Sequence, residues 1–69
     1  METSIPQLIP LPEVVRITGI SRSEIFRRLK ESRFPIPARL GTGRCTRWER
    51  SEIVGWVNAR LAERDTKIA

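Results

Sequence analysis

The six residues Gly19-Ile20-Ser21-Arg22-Ser23-Glu24 leave this chain little freedom. Glycine enters the left-handed cap at a helix C-terminus without strain, so Gly19 ends any helix that precedes it. Ser21 and Glu24 spell S-x-x-E, the capping box. There the serine hydroxyl takes the backbone N–H of the glutamate and the carboxylate takes that of the serine. Ile20 before the cap and Ile25 after it form a hydrophobic staple, which sets the angle at which the chain enters the second helix. Only Gly19, Ile20 and Ser21 separate the two helices, and so short a turn suits a helix-turn-helix unit.

The flanking sequence supports both helices. Pro12 favours the first helical position, and Leu11, Val14, Val15 and Thr18 follow at helical spacing up to Gly19. Upstream, residues 1–10 hold two prolines and no helical period. They read as an extended arm, with Leu8-Ile9 suited to a brief edge strand. The second helix is expected from Arg22 to about Ser32, with Ile25 and Leu29 inward and Arg22, Ser23, Arg27 and Lys30 on the face away from them.

Phe34-Pro35-Ile36-Pro37 cannot continue the helix, because each proline forces the residue before it into extended geometry. Two short alternating segments around Gly41-Thr42-Gly43-Arg44 then read as a β-hairpin over residues 38–48. Alternation within that hairpin puts Ala38, Leu40, Thr46 and Trp48 on one face and Arg39, Cys45 and Arg47 on the other. A third helix starts near Glu49 to Glu52, capped by Glu49 or Ser51, with Ile53, Trp56, Val57, Arg60 and Leu61 as its stripe. Residues 63–69 are expected to fray. One folded unit, residues 11–62, therefore lies between an arm and a tail. It is mainly α with a small β-hairpin, in the order of a winged helix-turn-helix.

Composition narrows the function. With one cysteine, Cys45, and no histidine among 69 residues, neither a disulfide framework nor a structural zinc site can form. Gly41-Thr42-Gly43 lacks the length and the lysine of a phosphate-cradling P-loop. No paired acids suit a catalytic cleft, so an enzyme is not expected, and neither is a cofactor. The longest apolar run, Ile53 to Val57, is far short of the ~20 residues of a membrane span. The first ten residues also lack the basic start and apolar core of a signal peptide. These features read as a soluble protein of the cytoplasm. Gly55, inside the third helix, costs ~1 kcal/mol against alanine and would permit a close backbone approach, within the domain or by a partner.

The net charge is +5, and Lys30 and Lys67 are the only lysines among thirteen cations. Arginine presents a rigid fork of donors that matches phosphate and guanine bidentately. A solvated basic face on an ordinary αα-hairpin would also account for the charge. Double-stranded DNA is favoured because turn, cap and arginines coincide. The start of the second helix is rigidly held and carries positive dipole and free N–H groups. The candidate DNA contacts are Arg22, Ser23, Phe26, Arg27 and Lys30 on that helix and Arg39, Arg44 and Arg47 on the wing, with Arg44 at its tip.

The ordered set Gly19-x-Ser21-Arg22-Ser23, Phe34-Pro35-x-Pro37, Arg47-Trp48 and Glu52-Ile53-x-x-Trp56 resembles the AlpA family of small phage and prophage regulators. The resemblance runs from about Leu8 to Arg60. That family is related to excisionases and to MerR-type winged-helix domains. The resemblance implies sequence-specific DNA binding that regulates integration, excision or other mobile-element genes. It assigns residues 21–27 to the reading helix and places Trp48 and Trp56 on the family's tryptophans, taken as core because both lie on apolar faces. Glu24 departs from the family pattern, which more often has a small hydroxyl residue there. The turn from Gly41 to Trp48 is about one residue longer than usual. Two other roles stay open, an excisionase-like DNA-bending partner of a recombinase and a protein-interaction adaptor without DNA binding. Self-association is expected only on repeated DNA sites, and neither a membrane nor a small-molecule substrate is expected as partner.

Overall fold

The computed structural model describes residues 5–41 and 45–67, with side chains through Arg64. Strand β1 (Leu8–Ile9) leads into α1 (Leu11–Thr18) and α2 (Arg22–Lys30). Strands β2 (Ala38–Arg39) and β3 (Thr46–Glu49) follow, and α3 (Arg50–Lys67) closes the order.

The turn between α1 and α2 is built as its residues dictate. Gly19 sits at φ 74° and its N–H donates to the Val15 carbonyl at 2.8 Å. The Thr18 hydroxyl donates to the Val14 carbonyl at 2.8 Å and accepts from the Ile20 N–H at 3.1 Å, tying the turn to the end of α1. Ser21 is extended and its Oγ accepts the Glu24 N–H at 3.2 Å. The Glu24 carboxylate does not complete the capping box. It turns outward to Arg27 and Arg28, whose charges outbid a single backbone N–H.

At its far end α2 stops two residues before Ser32. Ser32 takes φ 59°, its N–H donates to the Leu29 carbonyl, and the Arg33 N–H reaches back to the Arg28 carbonyl at 2.8 Å. This is a Schellman ending with serine in the left-handed position that glycine usually fills, which is why the sequence does not announce it.

The sheet is three-stranded and antiparallel, in the order β1-β3-β2. The arm contributes its own edge strand, with Ile9 opposite Trp48 and Leu8 opposite Glu49. Across the hairpin Ala38 faces Arg47 and Arg39 faces Thr46. Residues directly opposite share a face of the sheet. Arg39 therefore lies on the Thr46 and Trp48 side and Ala38 on the Arg47 side, the reverse of the expected division. The Leu40 N–H donates to the Cys45 carbonyl at 2.8 Å, so four residues link the paired ends. An even link couples positions of opposite parity, and a shift of one residue in register turns a whole strand over. Leu40, expected inside, is exposed.

Among the described residues six buried side chains form the core: Ile9, Val14, Ile25, Phe34, Trp48 and Ile53. Each comes from a different segment, including the proline-bounded loop. Burying a side chain of this kind contributes about 1.5–3 kcal/mol, and no element owns enough of them to stand alone. The Trp48 indole N–H donates to the Pro35 carbonyl at 3.0 Å, so the extended FPIP loop is a ligand for the wing as well as a helix breaker. Leu11, Val15, Ile17, Ile20, Leu29 and Trp56 pack around this centre.

Glu49 caps α3, its carboxylate accepting the Glu52 N–H at 3.2 Å and the Ser51 hydroxyl. The helix continues to Lys67, past the point where fraying was expected at residue 63. Ala59, Arg60, Leu61, Ala62 and Glu63 are all good helix formers, and Arg60 pairs with Glu63 at 2.8 Å. Trp56 is only half-buried, in place of the core position expected for it. Its ring stacks on Phe34 with centroids 4.9 Å apart, and the Arg28 and Arg60 guanidinium groups lie 5.7 and 5.1 Å from its centroid.

Candidate nucleic-acid interface

Helix α2 is held by its inner face and free on its outer one. Ile25 is fully buried and Leu29 packs beside it. Arg22, Ser23, Phe26, Arg27 and Lys30 are all exposed. Their spacing places them on one side of the helix, beginning in the first turn after the Ser21 cap. A large apolar ring in such company is unusual, and Phe26 is 45% exposed. It stands between two shallow hollows, one shared with Ser23, Arg27 and Lys30, the other with Arg22 and Arg47.

The second hollow joins the helix to the sheet. Arg47 on β3 is half-buried, its Nη1 donates to the Thr46 carbonyl at 2.9 Å, and its side chain borders the same cleft as Arg22 and Phe26. Of the expected wing contacts, Arg47 is thus brought to the helix. Arg39 is exposed on β2, on the opposite face of the sheet from Arg47. Arg44 lies outside the described residues.

Arg27, the residue placed best to reach outward, is not a bare cation. Its Nε and Nη2 donate to Glu24 Oε1 at 3.1 and 2.9 Å, and Nη2 also meets Oε2 at 2.7 Å. Its Nη1 lies 3.4 Å from Glu31. Arg28 Nε donates to Oε2 of the same Glu24 carboxylate at 2.9 Å. Hydrogen bonds from Arg27, then Arg28, hold the Glu24 carboxyl below its ordinary pKa, and Arg27 is raised chiefly by its hydrogen bond to Glu24. Neither Glu24 as an arginine holder nor Arg28 was anticipated from sequence. The i,i+3 and i,i+4 spacings of Glu24 with Arg27 and Arg28 were the available signal.

Other groups add no chemistry to this surface. Cys45 is a free, half-buried thiol beside the hairpin. Among the described residues no cluster of acidic, histidine or cysteine side chains could hold a metal ion, and no helix is long and apolar enough to cross a membrane.

The helix-turn-helix, the strand wing and the motif order meet in one comparison. The family model described as Prophage CP4-57 regulatory protein (AlpA) matches residues 7–61. The chain belongs to the AlpA family. Its mostly helical winged fold is that of an AlpA-family phage regulatory protein. A relative, Uncharacterized protein ORF88 of Enterobacteria phage P4, is 34% identical over 58 residues, 84% of this chain and 65% of that protein. The chain thus spans slightly less than two-thirds of the length of that curated relative. No solved structure matches.

Proposed function

We propose that this AlpA-family chain is a sequence-specific DNA-binding regulator of prophage or mobile-element genes. In this reading α2 enters the major groove, and β2 and β3 form a wing on the backbone or minor groove. The observation that carries it is the outer face of α2. Arg22, Ser23, Phe26, Arg27 and Lys30 project together from a helix whose opposite side is locked by Ile25 and capped by Ser21. Arg47 enters the same surface from the sheet.

The residue types divide the work. Exposed Arg22 and Lys30, with half-buried Arg47, suit phosphate oxygens, which position a protein without reading sequence. Arg27 suits a guanine edge and Phe26 a thymine methyl group, and both readings belong to the major groove. The free N–H groups at the start of α2 add a favourable site for one phosphate. Arg39 and Arg44 then serve the flanking backbone from the wing. Such a protein works in the bacterial cytoplasm, at the nucleoid.

The test is in vitro selection from random duplexes, followed by titration of a selected duplex and a scrambled one at several salt concentrations. About four phosphate contacts would lower affinity roughly 10²-fold between 50 and 200 mM salt. Selection that enriches no sequence, together with salt-independent binding, would discard this reading in favour of a protein-interaction adaptor.

A further inference from the structure

The outer face of α2 carries an acid where DNA would approach, and that acid is tied at both ends. Glu24 Oε1 accepts from Arg27 Nε and Nη2, and Oε2 accepts from Arg27 Nη2 and Arg28 Nε. Arg28 is three-quarters covered, with its guanidinium 5.7 Å from the Trp56 centroid. Trp56 in turn stacks on buried Phe34. A continuous line of contacts therefore runs from the core through Phe34, Trp56, Arg28 and Glu24 to Arg27.

We infer that Glu24 is a specificity-positioning residue, which holds Arg27 ready for a base edge and withholds it from phosphate. This rests on the DNA-binding reading above. Three consequences of the geometry support it. First, the bonds from Nε and Nη2 occupy one edge of the guanidinium. The other edge offers Nη1 to guanine O6 or N7, and a bidentate match there requires Nη2 to release its contact with Oε2 at 2.7 Å. The contact from Nη1 to Glu31 on that side is long, 3.4 Å, and is readily exchanged. Second, an arginine already bound to a carboxylate has lost much of its rotamer freedom, so less ordering is needed when it meets a base. Third, the carboxylate cancels the charge that would draw Arg27 to any phosphate and repels a phosphate that comes too near. Discrimination is a difference between affinities, and a repulsive element against the wrong partner widens it.

Glu24 touches no base in this account, because all of its acceptor positions face arginines. Its role differs from that of a helix cap too, since the bond to Ser21 uses the Glu24 backbone N–H and survives a change of side chain.

The test uses the selected duplex and its scrambled counterpart with wild type, Glu24→Gln and Arg28→Gln. Glutamine keeps the length and one acceptor but removes the charge. Glu24→Gln should bind scrambled DNA several-fold more tightly, raise the salt slope by about 1 and lower the ratio of selected to scrambled affinity about 10-fold. Arg28→Gln, which loosens the inner anchor alone, should lower the ratio by a smaller factor. Unfolding monitored by circular dichroism confirms that each variant is native at the assay temperature. A merely structural role would weaken both duplexes alike. An unchanged ratio in Glu24→Gln, or equal weakening on both duplexes, overturns the inference while leaving DNA binding intact. Wild type that does not discriminate between the duplexes overturns the sequence-specific part of the DNA-binding reading and this inference with it.

Discussion

The indole N–H of Trp48 donates to the carbonyl of Pro35, thirteen residues earlier in the chain and in the loop between α2 and β2. The bond matters because Trp48 is also the central core side chain, opposite Ile9 in the sheet and almost wholly buried. One residue thereby fastens the wing to the loop that follows α2. The position of the wing relative to the outer face of α2 depends on it.

Trp48→Ala should cost about 3–5 kcal/mol, the range for removing a buried aromatic side chain. That is a large share of the stability of a 69-residue domain. Trp48→Phe keeps most of the ring but leaves the Pro35 carbonyl without its donor, a loss of about 1–3 kcal/mol. Urea denaturation should rank wild type above Trp48→Phe and Trp48→Phe above Trp48→Ala. Equal midpoints for wild type and Trp48→Ala would contradict the placement of the ring.

Ser21→Ala should cost about 1 kcal/mol, because the Glu24 N–H at the start of α2 loses its acceptor. Glu24→Ala should not mimic it, since the acid side chain takes no part in the cap. A double-mutant cycle between Ser21 and Glu24 should therefore show little coupling in thermal denaturation. A reciprocal capping box would give clear coupling between the two.

Gly55→Ala should stabilise the protein by up to about 1 kcal/mol. A Cβ there meets nothing within 4 Å, and an exposed helix interior favours alanine. The expected readout is a higher melting temperature with DNA affinity unchanged. The close backbone approach considered for this glycine does not occur among the described residues. Loss of affinity in a stable Gly55→Ala protein would instead point to a partner that needs the gap.

Stability should be nearly flat from pH 6 to 8, because the chain has no histidine. Glu13, Glu24 and Glu49 are each held below the ordinary value of 4.5, chiefly by side-chain hydrogen bonds from Arg16, Arg27 and Ser51 respectively. A depressed folded-state pKa means the stabilisation is fully present above the unfolded value. It declines as pH falls below about 4.5 and is gone beneath the folded values. Denaturation midpoints measured from pH 8 to 3 should therefore hold steady and then drop in the acid range. A Glu49→Gln variant should show a shallower acid decline.

Local signals were the ones legible in the sequence. Gly19, Ser21, Ile25 and the prolines each act on their own neighbours, and the end of α1, the start of α2 and the non-helical stretch from Phe34 to Pro37 lie where they dictate, though α2 itself stops earlier, at Lys30. Leu8-Ile9 also forms the edge strand expected of it. What escaped depends on pairing between segments. The faces of the hairpin turn on the parity of its register, which alternation within either strand does not contain. Glu24 had two ways to be satisfied, and the arginines won over the backbone. Trp56 lies on the apolar stripe of α3, but the stripe does not tell how far its neighbours reach, and the arginines cover what they leave open. On the outer face of α2 the sequence pattern and the exposed residues agree, while Arg39 and Arg47 separate.

Arg27 and Arg47 should play different parts at the DNA surface. Arg27 lies more than one turn into α2, exposed, with one guanidinium edge secured by Glu24. Arg27→Ala should lower affinity for the selected duplex by about 5–150-fold and relax preference at one base pair. The change also leaves Glu24 with Arg28 alone, and the freed negative charge weakens every duplex somewhat. The diagnostic quantity is therefore the ratio between duplexes that differ at that base pair, not the affinity itself. Arg47 lies at the junction of sheet and helix, half-buried and bonded to its own strand, which suits a fixed contact to backbone phosphate. Arg47→Ala should weaken all sequences about equally and reduce the salt slope by about 1. Titrations of both variants on single-base-pair variants of the selected duplex, at three salt concentrations, measure both quantities together. Uniform weakening by Arg27→Ala with relaxed preference in Arg47→Ala would reverse the roles and make the sheet, not α2, the reader.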